Sequence, residues 1–359
     1  MGAAPEFAAP ICTFRERRNL SIFTRFLGRL GSSLIVLIGV SMLIFFIARI
    51  IPGDPARIAL GPRATEAQVE QMRESLNLNE PIIVQYSLFV GDLVRGDLGI
   101  SLYSNRPVMT DLVEYLPATL ELVLLAGLMM VMIGLPLGAL SARYRGRWPD
   151  NLVRVITLLA VSAPAFVWAV GLVLVFAYFT PLFPITGRIN DTLEVDRITG
   201  FMLIDTLAAG RFDAFASALH HLILPAFALS LSGIGQAARL TRSNMIATYE
   251  QPAIEMAQAY GFSEHRIARR YAFKPSLIPS LTIIGLDFAA LLGNAFLVEV
   301  IFAWPGLSRY GVGVILQKDL NAIVGTVLII SATFLIANII VDFLVSVLNP
   351  RIRYSEGNK

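Results

Sequence analysis

Charge is scarce in this chain. Only 15% of its 359 residues are Asp, Glu, Lys or Arg, while 55% are hydrophobic and mean hydropathy is +0.67. A soluble domain is normally about a quarter charged, so an ordinary soluble globule is excluded. Cysteine is nearly absent: Cys12 alone rules out a disulfide within the chain and any multi-cysteine metal site. No G-x-x-x-x-G-K-[ST] run occurs, so the sequence carries no phosphate-cradling P-loop. Histidine is limited to His220, His221 and His265. Adjacent histidines diverge on a helix and chelate poorly, so His220 and His221 are read as a capping or hydrogen-bonding pair. No nucleophile–base pair stands out. Gly233 to Ala238 (GIGQAA) fits G-x-G-x-x-A, but it follows no strand and lies in an apolar run. Close helix packing is therefore expected there, and a tight helix crossing at the G-x-x-x-G of Gly134 and Gly138. The sequon at Asn190 is discounted as a chance match.

What the chain does have is long apolar blocks. Leu30 to Ile51 follows a basic stretch holding Arg15, Arg17, Arg18, Arg25 and Arg29. The block is too long for a signal h-region and no A-x-A site follows it, so it is read as an uncleaved first span. Residues 2–7 (GAAPEF) are assigned no function. Further spans are expected at roughly 117–141, 152–180, 221–246, 276–302 and 322–348. Pro136, Pro164 and Pro225 fall inside them, where neighbouring helices can satisfy the freed carbonyls. The fold class is thus an all-α polytopic membrane protein with six transmembrane helices.

Positive charge sets the expected orientation. The N-terminus, 142–154, 239–275 and the C-terminus hold 18 of the 29 Lys and Arg, and are assigned to the cytoplasm. The division that follows is a cytoplasmic N-terminal segment 1–29, a transmembrane domain 30–348 and a cytoplasmic tail 349–359. Within the domain, 52–116 and 181–220 are extracytoplasmic loops and 247–275 is a cytoplasmic segment. Thr65 to Leu76 predicts a helix capped by Thr65. From composition alone, the outer loops either dock a partner or merely cap the bundle.

The cytoplasmic segment has readable chemistry. Pro252 suits a first helical turn, Glu255 complements the helix dipole, and Gly261 stands where a left-handed C-terminal residue belongs. Ser263 is placed to cap a second, basic helix bearing Arg266, Arg269, Arg270 and Lys274. The small side chains of Ala253, Ala257 and Ala259 would let another surface approach. Two readings stay open: a docking knob, or an amphipathic loop lying on anionic lipid.

Glu255 to Gly261 (EMAQAYG) resembles the E-A-A-x-x-x-G segment of binding-protein-dependent ABC importer permeases, with Met256 in place of the first alanine. Pro252 and Tyr260 replace an aspartate and a lysine usual in the nearest subfamily. Ile51–Pro55 (IPGDP), Gly96–Ser101 (GDLGIS), Pro117–Leu122 (PATLEL) and His221–Pro225 (HLILP) resemble the dipeptide/oligopeptide/nickel permease subfamily. So do Ala238–Ser243 (ARLTRS), Glu299–Gly306 (EVIFAWPG), Asn338–Asp342 (NIIVD) and Asn349–Arg351 (NPR), in family order over about residues 25–353. The resemblance implies a type I ABC importer permease fold, not an enzyme itself. It implies a transporter subunit at the bacterial inner membrane, the first of two similar permease subunits. The other implied partners are two cytoplasmic ATPases, which bind ATP and Mg²⁺, and an extracytoplasmic solute-binding protein. It also implies that Glu255, Met256, Ala257, Ala259, Gly261 and Phe262 form the coupling helix and its corner on the ATPase. Di- or oligopeptides are the expected solutes, with nickel chelates or another solute as the alternative. A self-contained secondary transporter is a different class; it would more often show internal repeats, and none is evident.

Asp287, Asn294 and Glu299 are the pathway or gate candidates. A carboxylate at the bilayer centre costs about 2.5–3.5 kcal/mol on insertion scales, so it should face protein or water. Asp287 either meets a peptide's amino group in the pathway or forms an ion pair or hydrogen bond across a subunit interface.

Overall fold

The computed structural model describes residues 11–50, 55–61, 63–75 and 77–348. The IPGDP run before Pro55, the NPR run, the tail and residues 2–7 lie outside the described residues. Among those described, the chain is helical, with one isolated bridge between Ile100 and Pro107. The helices are α1 Ile11–Ile50, α2 Pro55–Leu60, α3 Glu66–Ser75, α4 Ile82–Val94, α5 Val108–Arg143, α6 Trp148–Ser162 and α7 Ala165–Leu172. They continue with α8 Met202–Ala208, α9 Phe212–Tyr249, α10 Pro252–Ala259, α11 Glu264–Arg266, α12 Lys274–Ile301, α13 Leu307–Leu316 and α14 Leu320–Leu348. Wider π-helical turns extend α7 over Val173–Phe179 and join α11 to α12 over Ile267–Phe273.

Five helices are long and apolar enough to cross a membrane, and the bent pair α6–α7 makes a sixth crossing if counted as one. The third apolar block is therefore not the single helix expected over 152–180. It bends by 104° between Ser162 and Ala165. Pro164 disfavours helical backbone at the residue before it, and Ala163 is extended at φ −122°, ψ 144°. Pro164 also has no N–H for the carbonyl of Ala160. Trp168 supplies the missing donor, its Nε1 lying 3.2 Å from that oxygen, and Ser232 Oγ adds a second at 3.4 Å.

The bundle is built around α5 and α9, its most extensive helix pair. In lipid, apolar burial does not drive helices together, so close packing must. A Cβ at Gly134 would stand 2.7 Å from the Ala237 Cβ, and one at Gly138 would strike the Ala238 carbonyl oxygen. The expected tight crossing is thus present. On the other side of α9, a Cβ at Gly235 would lie 2.8 Å from the Thr157 carbonyl oxygen of α6. The GIGQAA run is a packing surface between two helices. Outward faces remain apolar, with Ile35, Leu43, Leu128, Leu158 and Ile336 exposed, as a lipid-facing bundle requires.

The loops carry more helix than their composition suggests. The expected helix after Thr65 is α3, closed by a capping box: Thr65 N donates to Gln68 Oε1 at 2.9 Å and Gln68 N to Thr65 Oγ1 at 3.4 Å. Helices α4, α8 and α13 were not expected. Helix α4 is apolar and buries none of its residues, and it leans on α1 through Ser41–Tyr86 at 2.8 Å and the Phe45–Phe89 ring contact. The 181–220 loop is clamped to α5: buried Arg188 pairs with Glu121, and Leu203 N donates to the same carboxylate at 2.7 Å. His220 Nε2–H and His221 Nδ1–H donate to the carbonyls of Leu182 and Ser217, each at 2.8 Å, so both act as hydrogen-bonding residues.

Candidate coupling site and buried carboxylates

Helix α10 begins as its sequence dictates. Gln251 is extended at φ −84°, ψ 144°, and Pro252 occupies the first turn, where its missing N–H costs no bond. The helix ends in a Schellman motif. Phe262 N donates to Ala257 O at 3.2 Å and Gly261 N to Gln258 O at 2.9 Å. Gly261 takes φ +76°, and no atom lies within 4 Å of where its Cβ would sit, so backbone conformation rather than space selects glycine. Ser263 holds the extended N-cap conformation before α11, but its hydroxyl makes no cap hydrogen bond.

The inner face of α10 is Ile254 and Ala257. They pack with Ala142 of α5, Met245 of α9, and Ile267, Ala268 and Ala272 at the foot of α12. Ala257 is thus internal packing rather than open docking surface; Glu255, Met256 and Ala259 face out. Met256 and Tyr260 are 61% and 74% exposed, four residues apart on one face. Phe262 turns inward and stacks on Tyr271, with ring centroids 5.6 Å apart. The outcome is a short helix rigidly tied to three long helices, with an apolar pair presented outward.

A polar clamp braces the same end of the bundle. Asp150, on the first turn of α6, is 1% exposed. It accepts Arg242 Nε at 2.8 Å, Arg242 Nη2 at 2.9 Å, Ser141 Oγ at 2.6 Å and Gly146 N at 2.9 Å. One carboxylate thereby joins α5, α6 and α9. Nearby, Arg145 pairs with Glu250 at 2.9 Å. Sequence reasoning missed Asp150; only Arg242, inside the ARLTRS run, pointed toward it.

The three membrane candidates separate. Asp287 sits midway along α12, and its Oδ2 is buried with no hydrogen-bond partner among the described residues. Asn294, seven residues on, shares its face and is exposed. The same stripe exposes Ile283, Leu286, Ala290, Gly293 and Leu297. Glu299 is elsewhere: it is 0% exposed and accepts Thr119 Oγ1 at 2.6 Å, Ser308 N at 2.9 Å and Arg309 N at 3.3 Å. A Cβ on Gly306 would collide with its carboxylate, and Trp304 Nε1 donates to Ala118 O at 2.9 Å beside it. Glu299, apart from the exposed Asp287–Asn294 stripe, caps the N-terminus of α13 and ties PATLEL to EVIFAWPG.

Five apolar crossings, a sixth if the bent α6–α7 pair is counted as one, and a helix-and-glycine corner fastened to several of them define a multi-pass membrane protein. Residues 134–354 match the family described as "Binding-protein-dependent transport system inner membrane component", and residues 22–123 match its N-terminal membrane-component counterpart. The chain belongs to this family of ABC importer permeases. It is 41% identical over 324 residues to the probable D,D-dipeptide transport system permease protein DdpB of Escherichia coli (strain K12), covering 90% of this chain and 95% of that one. It is 38% identical over 319 residues to the dipeptide transport system permease protein DppB of Alkalihalophilus pseudofirmus, covering 89% and 96%. Against the di/tripeptide transport system permease protein DppB of Pseudomonas aeruginosa, it is 36% identical over 327 residues, covering 91% and 97%. The chain is a transporter subunit, not an enzyme.

Proposed function

We propose that this subunit forms half of a pathway importing di- or oligopeptides or similar small polar solutes across the inner membrane. The other half is a second, similar permease. The α10 end faces the cytoplasm and docks an ATPase, one of two, which bind ATP and Mg²⁺. The opposite end, with the 52–116 and 181–220 loops, receives the solute-binding protein. The tying of α10 to α5, α9 and α12 carries the reading. A lever transmits motion only if it is stiff where it joins the load, and coupling requires an element whose two positions the ATPase binds differentially. Glu255, Met256, Ala259 and Tyr260 form the docking face; Ala257, Gly261 and Phe262 hold it in place. Positive charge concentrated at the α10 end supports the orientation, and the similarity to dipeptide and di/tripeptide permeases supports the peptide class. Asp287 and Asn294 line the pathway, where the carboxylate meets the cationic amino group of a peptide. The test is reconstitution with the co-purifying ATPases and solute-binding protein: peptide uptake should require both, and uptake without an ATPase would overturn the assignment.

A further inference from the structure

At the foot of α12, beside the docking face, a cleft of about 470 Å³ is lined by His265, Arg266, Arg269, Arg270 and Lys274. None of these residues has a carboxylate within ion-pair distance among the described residues, although arginines elsewhere in the structure repeatedly do. Four basic side chains in nine residues repel one another, and an anion in the cleft relieves that repulsion. Arg266 is held in place, its guanidinium 4.5 Å from the Phe262 ring centroid. The i→i+5 turn over Ile267–Phe273 puts residues five apart on one side, which brings Arg269 toward Lys274.

Depth decides what that anion is. The apolar run of α12 opens at Leu277, so at about 1.5 Å per residue Lys274 lies roughly 4–5 Å before it and Arg270 roughly 10 Å. A headgroup layer is about 5–8 Å deep on each side, so Lys274 falls within it and Arg270 at its outer edge, from which a long basic side chain reaches back toward the phosphates. Trp148, 77% exposed at the start of α6 near the same end, is the residue type expected at that level. The outward face of α10, by contrast, is the apolar pair Met256 and Tyr260, suited to a protein. We infer that the cleft binds the phosphate of an anionic phospholipid headgroup from the leaflet at the α10 end, setting the foot of α12 against the membrane. That this leaflet is the cytoplasmic one rests on the proposed orientation; the lipid site does not.

The test is the complete complex in nanodiscs of phosphatidylcholine with or without phosphatidylglycerol, extracted gently and weighed by native mass spectrometry. The wild type should retain phosphatidylglycerol. Arg269→Gln/Arg270→Gln/Lys274→Gln should retain at least tenfold less, each neutralised cation near an anionic surface removing a severalfold factor, while the charge-keeping Arg269→Lys/Arg270→Lys retains it. Equal retention by the neutralised variant overturns the inference. So does loss of the ATPase subunits with lipid retained, which would make the cleft a protein surface. Capture of inorganic phosphate in phosphatidylcholine alone, with no preference for phosphatidylglycerol, overturns it too. A photoactivatable phosphatidylglycerol on the wild type needs no variant: crosslinks should map to 264–274, and labelling only elsewhere sinks the site.

Discussion

Arg242 of α9 holds Asp150 of α6 through a two-pronged contact, Nε to Oδ1 at 2.8 Å and Nη2 to Oδ2 at 2.9 Å, across 92 positions of sequence. Removing the arginine leaves a buried carboxylate with only Ser141 and Gly146 as donors. Arg242→Met should therefore destabilise the bundle by about 3–5 kcal/mol, the usual cost of breaking a buried pair. Thermal unfolding in detergent measures it. Asp150→Asn/Arg242→Met should recover part of the loss, and strict additivity would mean that the two residues do not act as a pair.

Gly261 tests the link between conformation and coupling. At φ +76° a β-branched side chain is strained by about 1–2 kcal/mol, while asparagine tolerates the region. Gly261→Val should distort the corner and separate ATP hydrolysis from uptake, whereas Gly261→Asn should retain most transport. Equal transport by both variants would detach the corner from coupling.

Met256 and Tyr260 are open on the isolated chain, so changing them should alter stability by no more than about 0.5 kcal/mol. Met256→Asp and Tyr260→Asp should nonetheless weaken ATPase co-purification severalfold. Ala257→Asp, on the inner face, should instead lower the unfolding temperature. The two outcomes distinguish the docking face from the packing face.

Asp287 tests the pathway. Asp287→Asn keeps the shape and removes the charge, so uptake of peptides with a free amino terminus should fall by about tenfold, while amino-blocked peptides should be less affected. Competition between the two peptide classes for uptake gives the ratio. An unchanged ratio places Asp287 against another protein group instead.

Asp205 gives a pH dependence outside the membrane. Burial by itself raises its carboxyl, but hydrogen bonds from the Thr199 hydroxyl and the backbone N–H groups of Thr199, Gly200 and Ile198 more than reverse this, leaving it below the ordinary carboxylate range. A depressed acid stabilises the fold above its unfolded pKa of about 4 and loses that contribution as pH falls through the lower folded value. Amide protection in 198–208, taken relative to the intrinsic exchange rate at each pH, should fall below about pH 4, and Asp205→Asn should abolish that step.

Sequence alone determined the elements with a local cause. Apolar length marked the spans, Pro252 and Gly261 bounded α10, Thr65 capped α3, and G-x-x-x-G named the α5–α9 crossing. Each follows from neighbours within a few residues, so the signal is printed in order along the chain. Tertiary structure decided what depends on distant partners. Pro164 was visible as a proline, but the 104° bend needed Trp168 and Ser232 to satisfy Ala160. Ala257 resembled open surface until Met245 and Ile267 closed over it. Glu299 and Asp287 are both acids in one helix; Thr119, 180 positions away, makes the first an anchor, and no described residue does the same for the second. A buried charge takes its role from whatever satisfies it, and hydrogen bonds between distant helices leave no periodicity to read.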